Sequence, residues 1–178
     1  LLNSADGKPG PPVVRDRQHP DGIPDVPSGH KRELLVANAL IARTNAILAA
    51  GWQVGSQFIV ENPVDRGDRR AFPSHFVDER HAPLWSLPSV RALARASGAK
   101  FVHFPQCMFG SPWQKRTTFM YTAGFESWME PLSRLECTHQ SHAKAAGGVR
   151  SEDGKWESSE SAAYPAGLNY YLAKSISG

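Results

Sequence analysis

Two hydrophobic periods alternate along this chain, and that alternation restricts the available folds more than any other feature. From His30 to Ala50 apolar residues recur at helical spacing, with Leu34, Ala37, Ile41 and Leu48 on one stripe. Ser28 is the expected N-cap of this helix and Gly51 its expected stop. "QFIVEN" (57–62) follows as a short buried strand with a polar tip. A second helical stripe, Val90, Leu93, Ala94 and Ser97, opens at Pro88 and stops at Gly98. "AKFVHFPQC" and "TTFMYTAGF" then read as strands on either side of a polar turn. "ESWMEPLSRL" predicts a short helix broken at Pro131, and a last helix runs from about Ser161 with Leu168, Leu172 and Ile176 on one stripe. Strands separated by helices of this length predict an α/β sheet with crossover connections, and the strands flanking the turn add an antiparallel pair at its end.

The chain has 178 residues, enough for one domain with a real core. Residues 1–29 are rich in proline and glycine and read as an extended segment, leaving 30–178 as the folded unit. The chain opens on "LLNSADGKPGPP" without a methionine, which suggests a portion of a longer protein. A hydrophobic share of 40% with 21% charged residues describes a soluble globular chain rather than a disordered one. The apolar runs read as shorter than a membrane span. Two cysteines do not make a disulfide framework, so the expected compartment is reducing and intracellular, with the nucleus as an option.

The turn "GSPWQKR" (110–116) carries more chemistry than a hairpin connection needs. The net charge is only +3, but the basic residues cluster here as Lys115 and Arg116, and upstream as Arg66, Arg69 and Arg70 in "DRGDRR". Lys115 and Arg116 have the chemistry to track phosphates, and Trp113 to stack on a base. The alternative is a solvated loop with Trp113 folded back on the sheet. In open α/β sheets ligands bind beyond the carboxyl ends of strands. The tip "ENP" and this turn each follow such an end, so they are expected to face one crevice.

These landmarks resemble the C-terminal half of the cytosine-5 DNA methyltransferases. The Glu61-Asn62 tip is similar to that family's Glu-Asn-Val tip, and "GSPWQKR" to its Gly-x-Pro-Gln-x-Arg-x-Arg segment. The series "ENPVDRGD…PLWSLP…QCMFGSPWQKRTT…C-x-H…AAYPAGLNYYLA" also looks like methyltransferase-like domains in mobile-element polyproteins of algae and protists. The resemblance spans roughly residues 11 to 176. It implies a partial Rossmann-like class I sheet ending in an antiparallel hairpin. Glu61 would hold the edge of a flipped base, as acceptor or, protonated beside apolar walls, as donor. Asn62 would brace the tip, and Gln114, Lys115 and Arg116 would hold nucleic-acid backbone. Tyr164-Pro165 would lie near S-adenosylmethionine. The partner implied is DNA, with RNA as the alternative. This sequence departs from the pattern in Glu-Asn-Pro, in Trp113 between Pro112 and Gln114, and in threonines at 117 and 118. The family's Gly-rich cofactor turn and Pro-Cys nucleophile precede the Glu-Asn tip and have no counterpart in this chain. A non-catalytic nucleic-acid-binding module of a retroelement polyprotein is the rival reading, and a zinc-stabilised module without substrate is another.

"CTHQSH" supplies Cys137, His139 and His142, and Cys107 ends a strand that can approach them. Two thiolates and two imidazoles suit a tetrahedral zinc site, although the spacing is shorter than in zinc fingers. The alternative is a buried cysteine beside two histidines in a solvated loop. His75 and His81 in the "HFVDERH" region read as loop-bracing residues.

Overall fold

The computed structural model describes residues 12–65, 82–143 and 161–177. Helix α1 spans Ser28–Gln53, strand β1 Ile59–Pro63, helix α2 Pro88–Ser97, strand β2 Lys100–Pro105 and strand β3 Arg116–Tyr121. A short helix α3, Glu126–Met129, tightens into a 3-10 turn over Glu130–Arg134, and α4 covers Ala166–Ser177. Pro131 has no amide hydrogen to continue α3, so the chain winds tighter there, as the sequence predicts.

The end of α1 corrects one expectation. Gly51 does not stop the helix but lies within it, and Ser28 is a helical residue rather than a cap. The stop comes at Gly55, whose φ of 89° suits a residue without Cβ. There Gly55 N donates to Trp52 O at 3.0 Å and Ser56 N to Gly51 O at 2.9 Å, the paired bonds of a Schellman closure. Helix α2 opens with Pro88 and closes at Gly98 by the same device, as its sequence predicts.

The strands form one sheet in the order β1-β3-β2. β3 is antiparallel to both neighbours, with Glu61 opposite Phe119, Asn62 opposite Thr118 and His103 also opposite Thr118. β1 and β2 therefore run parallel to each other, and the chain between them crosses over through α2 with one strand position left for β3. The expected crossover and hairpin are both present. The described sheet is small and antiparallel at every pairing, because β3 returns from the turn into the gap between β1 and β2.

The central strand is buried on both faces. Met120 looks toward Phe58, Trp85, Leu87, Val90 and Leu93, with Ile41 and Leu48 of α1 packed outside them. Phe119 and Tyr121 look the other way, toward Val102, Phe104, Met129, Leu132 and Leu168. Helices thus cover both sides, giving a mixed α/β architecture. Each such side chain contributes roughly 1.5–3 kcal/mol by leaving water. Helix α4 begins at Ala166, later than expected, and Ile176 does not belong to its buried stripe: it is 71% exposed. Leu168 is buried and Leu172 packs against the same cluster, as expected, and Ser175 is buried as well. Gly167 packs tightly on the turn after β2, where an added Cβ would stand 2.8 Å from Phe109 O.

Helix α1 is more apolar than the sequence reading allowed. With 26 residues, it is long and apolar enough to cross a membrane by length and composition. Leu34 is buried and Ile41 and Leu48 pack on the core, while Leu35, Leu40 and Ile47 are 69%, 59% and 71% exposed.

Candidate nucleic-acid-facing site and metal centre

The carboxyl ends of β1 and β2 lie at the edge of the sheet where β3 begins, and this brings Glu61 to the turn 110–116. Lys115 Nζ stands 3.9 Å from Glu61 Oε1. Thr117 Oγ1 donates to the same carboxylate oxygen at 3.4 Å. Tyr164, from the segment leading into α4, lies near enough for the Glu61 carboxylate to act on its phenol. Burial first, then the Glu61 carboxylate, push the Tyr164 phenol well above its ordinary value, so it stays a neutral donor. Glu61 is therefore met by polar groups, Thr117 and Lys115, rather than by the apolar walls that the sequence suggested. The carboxylate is an acceptor held at a fixed place, with 21% of its side chain open to solvent.

Lys115 is drawn inward. Only 15% of its side chain is exposed, its ammonium donates to Ser161 O at 3.1 Å, and it lies 6.0 Å from the centre of the Tyr164 ring. It joins the sheet edge to the start of the C-terminal segment. Arg116 opens β3 opposite Pro105, and its carbonyl accepts from Val64 N at 3.1 Å. Trp113 is half-buried and Gln114 exposed, at the outer end of the turn. Arg66, Arg69 and Arg70 lie outside the described residues, as do His75 and His81.

Sequence reasoning missed the groups that brace this corner. Gln106 is 1% exposed, and its Nε2 donates to Thr117 Oγ1 at 2.7 Å, which in turn reaches Glu61. A glutamine inside the apolar run "FPQCMF" was the available signal, since a buried amide needs partners. The carbonyl of Ser161 carried no such signal.

The second constellation assembles one residue farther on. Cys107 is buried in the 3-10 turn Gln106–Phe109, and the segment 137–142 folds against it. One ligand atom from each of Cys107, Cys137, His139 and His142 lies within 4.8 Å of the others, so these residues could hold a metal ion. Cys137 Sγ is 3.3 Å from His142 Nε2 and 3.6 Å from His139 Nδ1. Both cysteines are free. Burial, followed by the hydrogen bond to Cys137, pushes the Cys107 thiol up to about 11.

A separate hollow of about 250 Å³ between the N-terminal segment, α1 and α2 is lined by Pro20, Asp21, Asn38, Ile41 and Ser89 among others, and by no residue of the Glu61 corner or the Cys/His cluster. No known protein family matches the chain, and neither a curated protein nor a solved structure is detectably similar to it.

Proposed function

We propose that this chain is the nucleic-acid-facing half of a methyltransferase-like domain, in which Glu61 presents a carboxylate to a base and the turn 110–116 lies beside the backbone. One observation carries the reading. Glu61, Lys115 and Tyr164 belong to three motifs far apart in sequence, and they meet at the carboxyl ends of two parallel strands. A carboxylate that accepts from Thr117 and lies beside Lys115 and Tyr164 is placed to accept from an exocyclic amine. Lys115 positions Glu61, while the partly exposed Arg116 and Trp113 and the exposed Gln114 are the side chains proposed to meet phosphate and base. DNA is the partner this reading favours, with RNA as the alternative.

The described residues do not fit S-adenosylmethionine. Tyr164 lies beside Lys115 at the base-facing corner, and Gly55, Gly98 and Gly110 close helical turns instead of opening a helix toward a nucleotide. These residues are therefore assigned base holding and strand positioning, and no methyl-transfer step. The Cys/His centre favours a second reading, a zinc-stabilised nucleic-acid-binding module of a mobile-element polyprotein. Its soft thiolates and imidazoles suit Zn²⁺ above other common divalent ions.

Fluorescence anisotropy with short labelled single strands and duplexes tests the shared part of both readings. The expected result is binding that weakens with salt and weakens further in Glu61→Gln for strands with an unpaired cytosine. Equal affinity of wild type and Glu61→Gln for every strand would remove Glu61 from the site. No binding at low salt would remove nucleic acid altogether.

A further inference from the structure

We infer that Cys107, Cys137, His139 and His142 bind one structural Zn²⁺, and that the ion fixes the turn after β2 and, through Gln106, the place of Glu61. The metal centre stands on its own geometry; its consequence for nucleic acid rests on the reading of Glu61 above. Zn–S of about 2.3 Å and Zn–N of about 2.05 Å in a tetrahedron set ligand sulfur and nitrogen about 3.5 Å apart. The two Cys137–His separations, 3.3 and 3.6 Å, sit on either side of that value. The donors come from two segments far apart in sequence. Between Leu135 and Ala143 the chain has no helix or strand, yet it delivers three donors to one point beside a buried cysteine. An ion supplies the missing reason for that convergence. The set is two thiols and two imidazoles with no carboxylate, the composition of closed structural zinc sites rather than of catalytic ones with an open position.

The coupling runs through adjacent residues. Cys107 follows Gln106, whose amide N donates to Lys115 O at 2.8 Å and whose side chain braces Thr117. Thr117 in turn touches Glu61. An ion tying Cys107 to the 137–142 segment fixes the 3-10 turn from outside, and the Gln106–Thr117–Glu61 chain is its inner face. Loss of the ion frees the turn and loosens the carboxylate.

The test uses the whole chain without a histidine tag. Purified without chelator, it is expected to carry one zinc per chain by elemental analysis. Co²⁺ added to metal-free protein should give tetrahedral d–d bands and a thiolate-to-cobalt band. Cys137→Ala should lose both, and His142→Cys should keep them with a stronger thiolate band, a result that does not depend on Cys137→Ala folding. Zinc well below one per chain with no cobalt spectrum would overturn the centre, as would a cobalt spectrum indifferent to both substitutions. The coupling is read separately, by amide and side-chain NMR shifts of Gln106, Thr117 and Lys115 with and without Zn²⁺. Shifts unchanged on metal removal would overturn it. If metal binds and the shifts move while no nucleic acid is bound in either state, the nucleic-acid reading fails and the metal-fixed turn stands.

Discussion

Lys115 and Glu61 face each other across the junction of β3 and β1, their charged atoms 3.9 Å apart and both side chains mostly shielded. The pair joins the turn to the strand tip, and Ser161 O holds the lysine from the far side. Its worth is therefore between that of a surface ion pair and a buried one. Urea unfolding of Lys115→Ala, Glu61→Gln and the double variant should give a coupling of about 1 kcal/mol. Additive effects would mean that the two groups are neighbours without being partners.

Arg116 is the cation proposed to meet phosphate, with Lys115 committed inward. Arg116→Ala should weaken binding of single-stranded DNA and reduce the slope of log K against log salt by about 0.7, the share of one phosphate contact. Lys115→Ala should weaken binding with a smaller change in slope. Equal changes in slope from both substitutions would restore Lys115 to the phosphate side.

The Tyr164 phenol is raised in the folded chain, chiefly by burial and then by Glu61. The folded state thus holds this proton more tightly than the unfolded chain does. The stability it contributes is whole below pH about 10, the phenol's ordinary value, and declines as pH rises beyond it. Unfolding midpoints measured from pH 8 to 11 should fall more steeply for wild type than for Tyr164→Phe. Parallel curves would show that Tyr164 titrates as it does in the unfolded chain.

Phe104 is fully buried and meets Phe119 edge to face with centroids 4.9 Å apart. Phe104→Ala should cost about 3–5 kcal/mol by thermal or urea unfolding. Ile176→Ala, at a position 71% exposed, should leave the midpoint within error. A costly Ile176→Ala would mean that this end of α4 is covered in solution.

Signals in the sequence are legible where they act through their own backbone. Pro88 and Gly98 bound α2, and Pro131 breaks the short helix, because each of these acts through its own backbone. The stop of α1 was misplaced because a helix interior tolerates Gly51, while Gly55 meets the left-handed requirement four residues later. The Cys/His set was legible from donor chemistry although its spacing fits no familiar pattern. Less could be foreseen about direction. That Lys115 turns toward Ser161 and Tyr164 toward Glu61 depends on residues distant in sequence, and no periodicity encodes it. Ile176 lies at helical spacing from Leu168 and Leu172, but nothing described packs over the end of α4.

The middle place of β3 governs the order in which this chain can become structured as it is made. β1 and β2 do not pair with each other, so a ribosome that has released everything up to Pro105 has released no ladder among the described residues. Both outer strands must wait for their partner until Arg116 to Tyr121 emerges, and then the five pairings with β1 and the six with β2 become available at once. A stall or cleavage within the turn would therefore leave two unpaired strands beside a helical layer that already holds Phe58, Trp85, Val90 and Leu93 but lacks Met120 at its centre.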